Sequence, residues 1–219
     1  MMETLPPMRP LDPHDRRYRK IQAKFEKGWL HDGKRADIRT IYAVDEDDLD
    51  RSYSGRRFNQ YVDLSGGKCS LLFHGTRRTC RIGNDHERQL EPCYDGGCHL
   101  CCILRDSLSV RTAGPRGMFG HGIYTTDISS KADIYAKNHH LRSSKHAMLV
   151  CRVANNKPQY LTKAEYHRFA PDPGYDCVEA VTLANGGSVR FPETVVYSDD
   201  AIVPVALIIY TREGWDGRY

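Results

Sequence analysis

No apolar run in the 219-residue chain approaches the roughly 20 residues that a bilayer-spanning helix needs, which argues against a helical membrane span. The opening MMETLPPMRPLDPHD has no apolar stretch resembling a secretion signal, so an intracellular protein, nuclear or cytoplasmic, is expected. A dense Lys/Arg block is also missing. The formal charge of +4 permits contact with phosphates without demanding it, and Arg16, Arg17, Arg19, Lys20 and Lys24 read as a solvated helix face rather than a nucleic-acid contact. There is no internal repeat and no low-complexity tract. The length is that of one domain, large enough for a substantial core, with at most a short appendage.

Cysteine is plentiful. Four of the eight, Cys93, Cys98, Cys101 and Cys102, crowd one short segment, and Cys80 lies just upstream. Without a secretory signal such crowding points to thiols or a metal rather than a disulfide framework. Cys80, Cys93, Cys98 and Cys101 are expected to form a tetrahedral zinc site, because Cys98-x-x-Cys101 has the spacing of one half of such a site. Cys102, His86 and His99 are spare ligands, and a run of reduced, partly buried thiols is the alternative. Cys69, Cys151 and Cys177 stand alone beside apolar residues and read as buried, inert thiols.

Residues 1–13 hold four prolines and few apolar anchors and are expected to be a disordered lead-in, with one domain over 14–219. Tyr18, Ile21, Phe25, Trp29 and Leu30 recur at helical spacing and predict an amphipathic helix over 15–30. DIRTIYAV, residues 37–44, predicts a strand, and the acidic DEDDLD after it a turn or solvated loop. A helix or irregular segment is expected around 56–62. SLLF, residues 70–73, is a short strand ending in His-Gly, the end of a strand being a common place to present a functional side chain. Residues 80–102 form a Cys-rich insert, polar and turn-rich over 84–97, with a short helix over 99–108. Residues 111–122 read as a flexible loop, and 129–137 as a helix capped by Ser129 or Asp127. AMLVCRV, ETVVY and VALIIY are strands rich in β-branched residues. The fold class is α+β, with short helices set on an antiparallel-rich sheet.

Three segments occur in an informative order: LFHGT (72–76), FGHGIYTTDISSKADIYA (119–136) and PETVVYSDDAIVPVALIIY (192–210). In this order they resemble the poly(ADP-ribose) polymerase-like transferases, over about residues 15–210. The linking CHLCCILRDS and the GYDCV at 174–178 are similar to a set of small stand-alone fungal proteins that carry this domain. The resemblance implies the ADP-ribosyltransferase fold, a split β-sheet core with short flanking helices. It implies NAD as substrate and a catalytic triad of His74, Tyr124 and Glu193. His74 would bind ribose hydroxyls, and the Gly75 backbone the nicotinamide carboxamide. Tyr124 and Tyr135 would sandwich the nicotinamide ring. Glu193 would bind the ribose 2′-hydroxyl and orient the acceptor, with Lys131 beside it. Thr76 and Ser130 would border the NAD site. Where the family carries a serine that bonds the carboxamide, this chain has Ala132, which removes one hydrogen bond to substrate.

These residue types suit the chemistry on physical grounds. Cleaving the bond to nicotinamide builds positive charge on the ribose. A carboxylate beside that ribose stabilises the charge and can take a proton from an acceptor. Two tyrosines can hold a flat cationic ring by stacking and cation–π attraction. Glu179 is the rival carboxylate, and Glu193 is preferred because it opens the strand leading into Val-Val-Tyr. Glu179 is expected to be a solvated or loop residue. The expected activity is cleavage of NAD, release of nicotinamide and transfer of ADP-ribose to a protein or nucleic-acid acceptor by a monomer. With only about 70 residues before the first motif, no regulatory helical domain is expected there and constant activity follows. An NAD glycohydrolase and a catalytically weak module binding NAD or ADP-ribose are the rival readings.

Overall fold

A computed structural model describes residues 5–114 and 117–214. The chain opens with a two-residue strand, β1 (Arg9–Pro10), and a helix, α1 (Arg16–Lys27). Asp15 caps α1 by accepting a hydrogen bond from Arg17 N at 2.6 Å, and Tyr18, Ile21 and Phe25 turn one face inward. Gly28 ends the helix. A Cβ there would lie 2.6 Å from the Ser129 nitrogen, so only glycine lets this turn approach so closely.

Strand β2 (Arg35–Ala43) leads into two helices, α2 (Glu46–Arg51) and α3 (Tyr53–Ser65), each capped by a side chain, Asp45 and Ser52. Strand β3 (Cys69–His74) is followed by an irregular stretch, then α4 (His99–Asp106). Next come β4 (Ile123–Thr125), α5 (Ser129–Asp133), β5 (Lys145–Ala154) and β6 (Pro158–Leu161). The described chain closes with β7 (Cys177–Ala180), β8 (Glu193–Val196) and β9 (Ile202–Glu213).

Two sheets result. The larger has the order β1-β2-β9-β5-β3 and is antiparallel throughout. The smaller has the order β4-β8-β7-β6, with a parallel β6–β7 pair. The larger sheet is buried on both faces. Leu149, Leu207 and Ile209 join the core under α3 and α4, whereas Met148, Val150, Ala206, Ile208 and Tyr210 join the core under α1. This explains why AMLVCRV and VALIIY are continuously apolar rather than alternating. Pro204 sits inside β9, where it cannot donate to the ladder. The register shifts there, with Cys151 opposite Pro204 and Val150 opposite Ala206, and the bulge accommodates the missing N–H. The α+β class and the split sheet agree with the reading of the sequence.

Several expectations need correction. The lead-in is not disordered over residues 5–13: Leu5 and Met8 are 5% and 3% exposed within the core, and β1 pairs with β2. Residues 1–4 lie outside the described chain. A few apolar anchors suffice because they fall into a groove of an already large core. DEDDLD forms α2, since Asp45 caps it, acidic residues fill its first turn and Leu49 anchors it. The helix after Asp127 is shorter than expected. Neither Ser129 nor Asp127 is its N-cap; Ile128 holds that position and caps with no side chain.

Candidate active site

The two sheets meet where Phe73 and Thr126 exchange backbone hydrogen bonds of 2.7 and 3.1 Å. A cavity of about 740 Å³ opens there, lined by the end of β3, by β4, α5 and the first residue of β8, with α4 forming another wall. Its size suits a dinucleotide-scale ligand. His74, Gly75, Thr76, Tyr124, Lys131, Ala132, Tyr135 and Glu193 all line it, although they come from three segments far apart in sequence.

His74 is the last residue of β3. Its Nδ1 lies 2.9 Å from the Tyr124 carbonyl oxygen. A carbonyl only accepts, so Nδ1 carries the proton and Nε2 holds a lone pair. Burial holds the imidazole pKa below its ordinary value, which keeps the ring neutral. Its one donor is spent on the protein, so His74 can offer a ligand an acceptor but no second donor. Gly75 follows in a tight place: a Cβ would sit 1.9 Å from the Ala132 carbonyl oxygen.

Tyr124 lies on β4. Its hydroxyl donates to the Gly120 carbonyl and accepts from Phe119 N–H, both at 2.9 Å. Burial, opposed by the Phe119 hydrogen bond and reinforced by the charge of Glu193, pushes its pKa up to about 12. The phenol therefore stays protonated, and its fixed hydroxyl holds the ring against the cavity. Gly117 makes this possible, since a Cβ there would fall 2.1 Å from the Tyr124 hydroxyl. Tyr135, by contrast, is half exposed, with the Lys131 Nζ 5.7 Å from its ring centre.

Glu193 opens β8 and is only 8% exposed. Its Oε1 is 2.9 Å from Lys131 Nζ. Burial alone would lower the Lys131 pKa, but the hydrogen bond and charge of Glu193 outweigh it and raise the value. The result is a buried, paired carboxylate with one oxygen held toward α5. Glu179 lies elsewhere. It sits on β7 opposite Thr194, half-buried rather than solvated, and burial raises its pKa. It does not line the cavity.

Ser130 also departs from expectation. It is 2% exposed and does not line the cavity. Its Oγ accepts from Leu30 N–H, and its own N–H donates to the Gly28 carbonyl at 3.1 Å, so it ties α5 to the turn after α1. Ala132 is equally buried, at 2%, but does border the cavity. Behind it, Asp133 takes hydrogen bonds from Tyr210, Arg212 and His31, the latter two at 2.8 and 3.0 Å, and fixes the helix. This buried support was missed in the sequence, because its members are scattered over 180 residues.

A further omission is α4. Its exposed face, His99, Cys102, Ile103 and Asp106, lines the cavity, and the i, i+3, i+4, i+7 spacing was the available signal. The sulfurs of Cys80, Cys93, Cys98 and Cys101 meet at the start of this helix, all within 4.8 Å of one another. The spare ligands are engaged elsewhere. His86 Nδ1 is 2.8 Å from Thr40 Oγ1, His99 faces the cavity, and the Cys102 thiol contacts the Asp95 and Gly96 carbonyls.

The family model of the poly(ADP-ribose) polymerase catalytic domain matches residues 100–213, slightly more than half of the chain. The chain belongs to this family. The match contains the segments around Tyr124 and Glu193, while His74, Cys80, Cys93 and Cys98 lie before it. No curated protein matches the chain at a significant level. Membership in the poly(ADP-ribose) polymerase catalytic domain family supports ADP-ribosyltransferase activity in general, and this domain uses NAD as substrate. No described helix is long and apolar enough to cross a membrane.

Proposed function

We propose that this poly(ADP-ribose) polymerase-type domain binds NAD in the 740 Å³ cavity and transfers ADP-ribose from it to a protein or nucleic-acid acceptor, with His74, Tyr124 and Glu193 as its catalytic residues. The observation that carries this reading is the convergence on one cavity of a neutral histidine, two tyrosines and a lysine-paired glutamate. Tyr124 and Tyr135 hold the nicotinamide ring between them, and Gly75 brings backbone close to its carboxamide. His74 Nε2 accepts from a ribose hydroxyl, a bond that contributes about 0.5–1.5 kcal/mol.

In the reaction the bond between ribose C1′ and the nicotinamide nitrogen breaks, and nicotinamide leaves with the electron pair. The developing cation on the ribose is stabilised by the Glu193 carboxylate. The acceptor oxygen then forms a bond to C1′ and gives up its proton, which Glu193 can receive before passing it to water. Lys131 holds one carboxylate oxygen so that the other meets the ribose.

Incubation with NAD labelled in the adenylate portion tests the proposal. Label appearing on protein or nucleic acid, with one nicotinamide released per transfer, supports it. Free ADP-ribose alone makes the domain a glycohydrolase, and unchanged NAD that is nevertheless bound makes it a binding module; either result overturns transfer.

A further inference from the structure

The stretch from Gly75 to Cys98 contains no helix or strand, yet it is packed: Ile82 and Leu90 are buried in the core. So long an irregular segment in a compact domain needs something to hold it. Arg78 does part of this, reaching the Ile82 and Lys145 carbonyls and Asn138 from a position only 1% exposed. The four-cysteine cluster joins the start of the stretch, at Cys80, to its end, at Cys93 and Cys98, and to Cys101 in α4, which follows directly.

We propose that Cys80, Cys93, Cys98 and Cys101 bind one zinc ion, and that this ion seats α4 as a wall of the NAD cavity. A zinc–thiolate bond is about 2.3 Å, so the edges of a ZnS₄ tetrahedron are about 3.8 Å. Cys80 Sγ lies 3.7 Å from Cys98 Sγ and 3.5 Å from Cys101 Sγ, and the whole set falls within 4.8 Å. The same atoms do not form disulfides, which need about 2.05 Å and join sulfurs in pairs; all eight cysteines are free. Four thiolates are a soft ligand set, suited to zinc over calcium or magnesium, and four protein ligands close the site in the manner of a structural rather than a catalytic ion. The outer contact is in place as well, since Thr79 N–H points at Cys98 Sγ at 3.4 Å.

The position of the cluster gives the ion its second role. Cys98 is the N-cap of α4 and makes no side-chain capping bond, while Cys101 lies in the first turn. Leu100, Cys101 and Leu104 face the core; His99, Cys102, Ile103 and Asp106 face the cavity. An ion that grips Cys98 and Cys101 from a loop anchored by Cys80 and Cys93 fixes the rotation of the helix, and with it the cavity wall. This part rests on the reading of the cavity as the NAD site.

Metal analysis of the intact protein, purified without chelator, should give one zinc per chain. Exchange for cobalt(II) should produce thiolate-to-cobalt charge-transfer bands and the intense visible bands of a tetrahedral ion. Cys69→Ser should retain the metal, and Cys93→Ser should lose it. Stripping the wild type with a strong chelator should lower its melting temperature and weaken NAD binding about tenfold or more, the scale of coupling between linked sites; zinc added back should restore both. Protein without zinc whose four clustered thiols all react freely with a thiol reagent overturns the metal site, and this result does not depend on Cys93→Ser folding. Zinc present, with NAD bound equally well after stripping, overturns the seating of α4. Zinc present, with NAD bound in neither state, overturns the NAD reading and leaves the metal site standing.

Discussion

Gly75→Ala would place a methyl group 1.9 Å from the Ala132 carbonyl oxygen and 3.0 Å from Tyr135 Cβ. A relaxed carbon–oxygen contact is about 3.3 Å or longer, so the end of β3 and the C-terminal end of α5 would have to part by more than about 1 Å. Neither gives way easily. Phe73 is bonded to Thr126 on one side, and Asp133 is locked by Tyr210 and Arg212 on the other. Overpacking of this kind costs about 1–3 kcal/mol, which for a chain of this size lowers the melting temperature by roughly 2–12 °C. The same shift moves His74 and Tyr135 apart, and a displacement of about 1 Å in a reacting pocket costs turnover about a hundredfold. Thermal melting, together with nicotinamide release at saturating NAD, measures the two effects. Gly96→Ala is the stability control, because nothing lies within 4 Å of a Cβ there. A Gly75→Ala protein that melts within about 1 °C of wild type and turns over at the wild-type rate would refute the argument that this contact sets the pocket.

Glu193→Gln should lower turnover at least about a hundredfold with little change in NAD affinity, while Glu179→Gln should stay within about twofold of wild type; the reverse pattern would mean that the acid is misassigned. Ala132→Ser should tighten binding of NAD and of a benzamide ligand by roughly two- to tenfold in calorimetry, since it adds a neutral hydrogen bond to the carboxamide; equal or weaker binding counts against that geometry. Burial, aided by the nearby charge of Arg212, lowers the His146 pKa from 6.5 to about 4. The native ring therefore stays neutral while the unfolded chain takes up a proton, so this contribution is intact above about pH 6.5 and is lost as pH falls toward 4, by up to about 3 kcal/mol. Denaturant titrations at pH 7 and 4.5 should show a smaller acid loss for His146→Asn, and an equal loss in the variant would contradict the assignment.

Apart from the α4 wall, the cavity residues around His74, Tyr124 and Glu193 were legible because the chemistry confines them to short segments: His-Gly at a strand end, Gly-Ile-Tyr before α5, and Glu at the start of β8. The four strands β1, β4, β6 and β7 were not read from the sequence. Each has at most four residues, too few for a period-two pattern to stand out. Ser130 looked like a ligand-binding hydroxyl because it lies in the second segment, but one residue of helical rotation turns it away from the cavity and toward Leu30. The acidic run became α2 because the capping power of Asp45 outweighs its polarity. Nothing local marks Leu5 and Met8 as core residues; their burial depends on a groove assembled from β2, α3 and the Cys-rich loop.

Strand β9 is the last strand of the described chain, yet it is the hub of the larger sheet, pairing with β2 on one side and β5 on the other. A ribosome delivers the chain from its N-terminus at about 5–20 residues per second, so β2 waits roughly 10–30 s for β9, its one partner among the described residues besides the two-residue β1. During that interval the nascent chain can join β3 to β5 but must leave the β9-facing edges of β2 and β5 open, with their apolar side chains uncovered. Such edges template pairing with other chains. A stop codon anywhere before Ile202 therefore leaves both edges without the strand that joins them, and the handling of this protein during synthesis hinges on β9.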